Sequence, residues 1–192
     1  VTQDTERPTR TQAQRSAHTR QKLLDATIDS LVELGYAGTS TQGIARRAGV
    51  SRGAQLHQFP TKVTLVVAAV EHLVEKRLAE ILAADPDPDR GLEVLVEAFT
   101  GPLFYAALEL WVAARTDTEL FEAMVPLERR VTDALTGGAA EVMGERFGPD
   151  SIELSIELAR GFAVSALFRT PEEESERRAR LLPLWEGLVT SR

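Results

Sequence analysis

Cysteine is absent from the 192 residues, methionine and tryptophan occur twice each, and aromatic residues make up only 6%. Without thiols there can be no disulfide and no thiolate metal site, as suits a reducing compartment. No run of about eighteen apolar residues occurs, and no basic, apolar, small-residue leader is visible, so neither a membrane span nor a secretory signal is expected. The three histidines, His18, His57 and His72, lack metal-like spacing, and there is no GxSxG, Walker loop, dinucleotide fingerprint or HExxH. The DPDPD run at 85–89 alternates carboxylates but lacks the glycine and terminal glutamate of a calcium loop, so it reads as a linker that stops a helix. These absences turn the expectation away from an enzyme, a metal or a cofactor and towards a cytoplasmic protein.

Hydrophobic residues, by contrast, are 43% of the chain, ample for a buried core. Charge is unevenly divided. Residues 1–62 carry nine Lys/Arg against five Asp/Glu, a balance of +4, while residues 63–192 carry thirteen against twenty-four, a balance of -11 within a total of -7. A basic head on an acidic body draws a polyanion to one end and repels it from the other.

The periodicity is helical throughout, with about nine helices and no alternating strand pattern. Residues 1–16 are polar and basic and read as a flexible arm. Leu24, Ile28 and Leu31 then trace a helix over 18–34 that Gly35 stops. Thr39 or Ser40 can cap a short helix over 41–47 ending at Gly49, and Ser51 can cap another over 52–58 that ends at Phe59-Pro60. Two short helices joined by a glycine turn are a helix-turn-helix signature, with Ala45 as the small residue at the crossing. Such packing presents Arg52, Gln55, His57 and Gln58 to a major groove, where arginine suits guanine and glutamine suits adenine. Further helices follow through Val66 and Val70, Leu92 and Phe99, Phe104 and Trp111, a Thr116–Glu119 capping box with Pro126 and Gly137-Gly138 beyond it, then 150–168 and 172–190. A helical protein-interaction module without sequence-specific DNA binding is the alternative reading.

The run LLDATIDSLVELGYAGTSTQGIARRAGVSRGAQLHQFPTK, Leu23 to Lys62, resembles the N-terminal domain of TetR/AcrR-family transcriptional regulators, through GY followed by TST, then IA, AGVS, a glycine two residues after that serine, and F-x-x-K. The resemblance implies an all-α protein: a flexible arm (1–16), a three-helix DNA-binding domain with a helix-turn-helix (17–62), and a helical ligand-binding and dimerisation domain (63–192). It implies double-stranded DNA with a palindromic operator as partner, a homodimer, and a small apolar or amphipathic effector that releases a repressor. By position it assigns DNA contacts to Thr41, Gln42, Arg52, Gly53, Ala54, His57 and Lys62, the last on phosphate. Two residues depart from the family pattern: Leu56 stands where a backbone-contacting tyrosine is common, so an inward turn is open to it, and Gln58 where a histidine or tyrosine is frequent; Gln55, in addition, stands where an apolar residue is usual, which leaves the rotation of the second short helix open.

In the body, the resemblance encloses a ligand cavity between the middle helices, for which Phe99, Phe104, Leu108, Glu109, Trp111, Phe121 and Met124 are candidates. Aromatic walls are also ordinary core, and Glu109 could meet a neighbouring arginine instead. The last two helices carry the candidate dimer face: Ile156, Ala159, Phe162, Ala163, Ala166, Leu181, Leu184, Trp185 and Leu188.

Overall fold

The computed structural model describes residues 11–84, 87, 90–143 and 147–190. Among these are nine helices and no strand: α1 (Gln12–Gly38), α2 (Thr41–Ala48), α3 (Arg52–Gln58), α4 (Lys62–Ala83), α5 (Gly91–Ala98), α6 (Pro102–Ala114), α7 (Thr118–Met143), α8 (Pro149–Ala166) and α9 (Pro171–Thr190). Most of the expected arm, residues 1–10, and most of the DPDPD linker lie outside the described residues. No single described helix is long and apolar enough to cross a membrane.

Several boundaries differ from the sequence expectation because side chains other than the expected ones meet the orphan amides. Thr11 opens α1 through a reciprocal capping box with Gln14, so residues 12–16, expected in the arm, are helical. Gly35 breaks α1 at φ 65° rather than ending it, and the helix resumes to Gly38. Ser40, not Thr39, caps α2 by accepting from the Gly43 amide at 3.1 Å; Thr39 is buried and its hydroxyl donates to the Gly35 carbonyl at 2.7 Å. Asp117 rather than Thr116 caps α7, accepting from the Leu120 amide at 3.0 Å. The same helix runs through Gly137-Gly138, where Gly138 lies so close to α4 that an added Cβ would stand 2.9 Å from Leu78 Cδ1.

Three apolar cores organise the packing. Leu23, Leu24 and Ala26 of α1 meet Ile44, Phe59, and Leu65 and Ala69 of α4 in the first. Leu31, two turns beyond Leu24 along α1, joins Val66 and Val70 of α4, Ala106 and Leu110 of α6, and Leu120, Met124 and Leu127 of α7 in the second. Leu31, Ile44, Leu65 and Leu110 are completely buried, each worth roughly 1.5–3 kcal/mol relative to exposure. Helices α1 and α4 therefore each contribute to the head and to the body.

The third core joins α5, α6 and α7 to α8 and α9. It claims most of the residues expected at the face between two copies. Ile156, Ala159, Phe162, Ala163 and Trp185 are buried within the chain itself, where Trp185 stacks on Phe162 at 5.8 Å and donates its indole N–H to Ser155 Oγ at 3.1 Å. The cause is simple: the most continuous apolar stripe of α8 serves its own subunit first. Ala166 and Leu181 are half-buried, whereas Leu184 and Leu188 remain 62% and 75% exposed. Leu154 and Leu158 of α8, and Leu167 and Phe168 just beyond its end, not singled out in the sequence, are exposed too.

Candidate nucleic-acid interface

Helix α3 is held by what lies beneath it. Ser51 caps its start by accepting from the Ala54 amide at 3.2 Å, and Gly49, at φ 65°, makes the left-handed turn that brings α3 across α2. Gln55 is completely buried: its Nε2 donates to the Phe59 carbonyl at 2.6 Å and its Oε1 accepts from Arg52. A polar side chain at this usually apolar slot is therefore satisfied, and it ties the end of α3 to Phe59. Gln55 is consequently not among the residues turned outward, and Leu56 does not turn inward; it is 43% exposed. Gln58 donates to Ser16 Oγ at 2.7 Å, which links α3 to the first turns of α1.

The outward face of α3 then consists of Arg52, Gly53, Leu56 and His57, with Ala54 half-buried at its edge. Arg52 donates to Thr41 Oγ1 at 2.7 Å, so the starts of α2 and α3 share one hydrogen-bonded surface, and Gln42 stands exposed beside it. Gly53 has neither positive φ nor a crowding neighbour: an added Cβ would meet nothing within 4 Å. Arg47 faces elsewhere, forming a forked pair with Glu33 that braces α2 on α1 and holds the Glu33 carboxyl below its ordinary range. Arg20 lies over the Phe59 ring at 4.8 Å.

Lys62, at the start of α4, does not extend freely. Its Nζ donates to the Tyr36 carbonyl at 2.6 Å and sits 3.7 Å from the centre of the Tyr36 ring. Burial pushes this ammonium below its ordinary range, and the nearby Asp117 charge offsets the shift in part. Tyr36 is the centre of a junction. Its amide donates to Glu109 Oε2 of α6 at 3.0 Å and its hydroxyl to Asp117 Oδ2 at 3.3 Å; burial, followed by the Asp117 charge, pushes that hydroxyl up to about 12. Gly35 makes the junction possible, since a Cβ there would stand 2.7 Å from Glu109 Oε2.

Behind the junction lies an apolar cavity of about 70 Å³ between α4, α5, α6, α7 and α8. Of the candidate pocket residues, Phe99, Phe104 and Trp111 line it, while Leu108, Glu109, Phe121 and Met124 do not. Glu109 is turned towards Tyr36, Phe121 is 56% exposed, Met124 belongs to the core beneath α1, and Leu108 packs against the core of α8 and α9. The wall also includes Val70, Val74 and Leu78 of α4, Glu128 of α7 and Arg160 of α8. Glu128 accepts the Trp111 indole N–H at 2.5 Å.

The model for Bacterial regulatory proteins, tetR family, matches residues 23–69, the segment that holds α2, α3 and the first core. The HTH-type transcriptional regulator CymR of Pseudomonas putida is 36% identical, over 88% of this chain and 89% of its own. The chain belongs to the TetR family. It is a DNA-binding transcriptional regulator, as its TetR-family relatives are, and not an enzyme. A transcriptional regulator from Rhodococcus sp. Rha1 matches with a TM-score of 0.70 and 25% identity over 88% of this chain and 95% of its own. The multidrug binding protein EbrR, in complex with ethidium, matches with a TM-score of 0.64 and 26% identity over 86% of this chain and 97% of its own. Within this TetR-family fold, Tyr36 and Arg160 are the residues that sequence reasoning passed over. A signal existed for Arg160, a lone cation between Ala159 and Phe162 in the apolar stripe of α8; for the junction at Tyr36, formed across 73 positions, there was none.

Proposed function

We propose that two copies of the chain bind a palindromic operator with α3 of each copy in a major groove, and that a small molecule in the α4–α8 cavity releases the DNA. The observation that carries the reading is the outward face of α3, where Arg52, Gly53 and His57 stand together while Gln55 anchors the helix from below. Arg52 and His57 are the base readers, with Ala54 at the edge of that surface. Thr41 and Gln42 approach the flanking backbone. Lys62 is a phosphate contact at the N-terminus of α4: an ammonium has three N–H donors, and the Tyr36 carbonyl takes one.

Dimerisation supplies the second reading helix, because paired half-sites mirror the two-fold symmetry of the protein. The exposed Leu154 and Leu158 of α8 and Phe168 just after it, with Leu184 and Leu188 of α9, form the apolar surface suited to that contact. The structure of EbrR with ethidium supports a small molecule as effector in this fold. Helix α6 is the transmitting element: Phe104 and Trp111 face the cavity, and Glu109 on the same helix holds the Tyr36 amide. A ligand that favours the released geometry by a few kcal/mol is sufficient to empty the operator.

The test is selection of bound sequences from random double-stranded DNA, followed by titration of the winning sequence at increasing salt. The expected result is an inverted repeat whose affinity falls steeply with salt. Sequence-blind or salt-insensitive binding would count against this mode of recognition.

A further inference from the structure

We propose that Leu56 reads a thymine through its C5-methyl group, which makes it a specificity-determining residue for the operator. The inference rests on the placing of α3 in a major groove and adds the base chemistry that one side chain selects. Leu56 is exposed on α3 and, among the described residues, joins none of the three apolar cores. Its direction is fixed by its neighbours. Gln55, the residue before it, is completely buried and donates to the Phe59 carbonyl, while Arg52, one turn back, donates to Gln55 and to Thr41. Turning Leu56 under the helix would pull the buried Gln55 amide from its partners, which is costly, so the leucine stays outward.

The rest of the outward face leaves room for a base edge. Gln58 is drawn back to Ser16, and Gly53, three residues before Leu56 and so on the same side of the helix, has open space where a Cβ would stand. Arg52 and His57 bring hydrogen-bonding groups to this face; Leu56 brings neither donor nor acceptor. Guanine, adenine and cytosine present N7, O6, N6 or N4 in the major groove, and a leucine that closes over those groups leaves them unpaired. Thymine presents a methyl group there, the one apolar group on any base edge. A phosphate contact of the kind a tyrosine hydroxyl makes is closed to leucine, so this position passes from holding the backbone to reading a base. Leu56 lies four residues, about 6 Å, along α3 from Arg52, which puts its thymine within about two base pairs of the base that Arg52 reads.

The test starts from the operator recovered by selection from random double-stranded DNA. Each thymine in turn is replaced in both half-sites by deoxyuridine, which keeps the base pair and the O4 acceptor and removes only the methyl. One such position, within about two base pairs of the base whose preference is lost in Arg52→Ala, is expected to weaken binding about fourfold per half-site and about fifteenfold in the palindrome. In Leu56→Ala the same replacement changes affinity by less than about twofold, and in Leu56→Met it keeps most of its effect. At that position the unaltered protein binds 5-methylcytosine more tightly than cytosine, and Leu56→Ala does not distinguish them. The melting temperature of Leu56→Ala stays near that of the unaltered protein, since the side chain is in solvent. A methyl effect that persists in Leu56→Ala, or an inverted repeat in which no thymine depends on its methyl, overturns the assignment to Leu56 and leaves α3 in the groove. Recovery of no preferred sequence overturns the docking of α3, and the assignment with it.

Discussion

Gly53 shows how a residue can be explained by what is outside the molecule. It has ordinary backbone geometry and open space around it, so nothing within the chain requires a glycine in the first turn of α3. With α3 docked as proposed, close approach of DNA supplies the requirement, and Gly53→Ala is expected to raise stability by about 0.5 kcal/mol while weakening operator binding. Chemical denaturation and a DNA titration of the same protein check both halves. Tyr36 makes a second prediction, from protonation. Its hydroxyl titrates at about 12 in the folded chain against 10.0 ordinarily, so between those values the folded state holds a proton that the unfolded state has released. Stability is therefore lost as pH rises through that window, and Tyr36→Phe is expected to flatten the loss. Urea midpoints at several alkaline pH values measure it. At this scale the sequence was legible where chemistry is local. The caps at Ser40 and Ser51 and the turn at Gly49 follow from neighbours in the chain, but the partners of Gln55 and Glu109 follow only from the fold.

Between elements, the contact of α4 with α7 sets the size of the cavity. Leu78 forms part of the wall and rests against Gly138, and the methyl of a Gly138→Ala chain would need the space that Leu78 Cδ1 now holds. The end of a leucine side chain can move, and alanine favours the helix by up to about 1 kcal/mol, so the variant is expected to keep or gain stability. The displaced Leu78 then fills the cavity. The ligand-induced rise in melting temperature should shrink although the melting temperature itself does not fall. Element by element, the nine helices of the described residues were visible as periodicity and punctuation. Their lateral pairing was not, because an apolar stripe on α8 says that it will be buried without saying against what. That is why Ile156, Phe162 and Trp185 lie inside the subunit.

For the molecule as a whole, the exposed apolar surface at α8 and α9 and the separation of charge support the proposed division, in which the body meets a second copy and the basic head meets DNA. Leu184→Glu with Leu188→Glu alters side chains already in solvent, so the fold should persist, while sedimentation should show a monomer and operator affinity should drop sharply. A melting temperature that collapses with these changes would instead assign both leucines to the core. The shared roles of α1 and α4 bear on how such regulators can be recombined. The head core is closed by Leu65 and Ala69, several residues beyond Lys62, and the family match likewise extends to residue 69. A chimaera joined directly after Lys62 would set a foreign helix against Leu23, Leu24 and Ile44. One joined after Ala69 carries its own lid, which places the practical seam between interchangeable heads and bodies inside a continuous helix rather than in any loop.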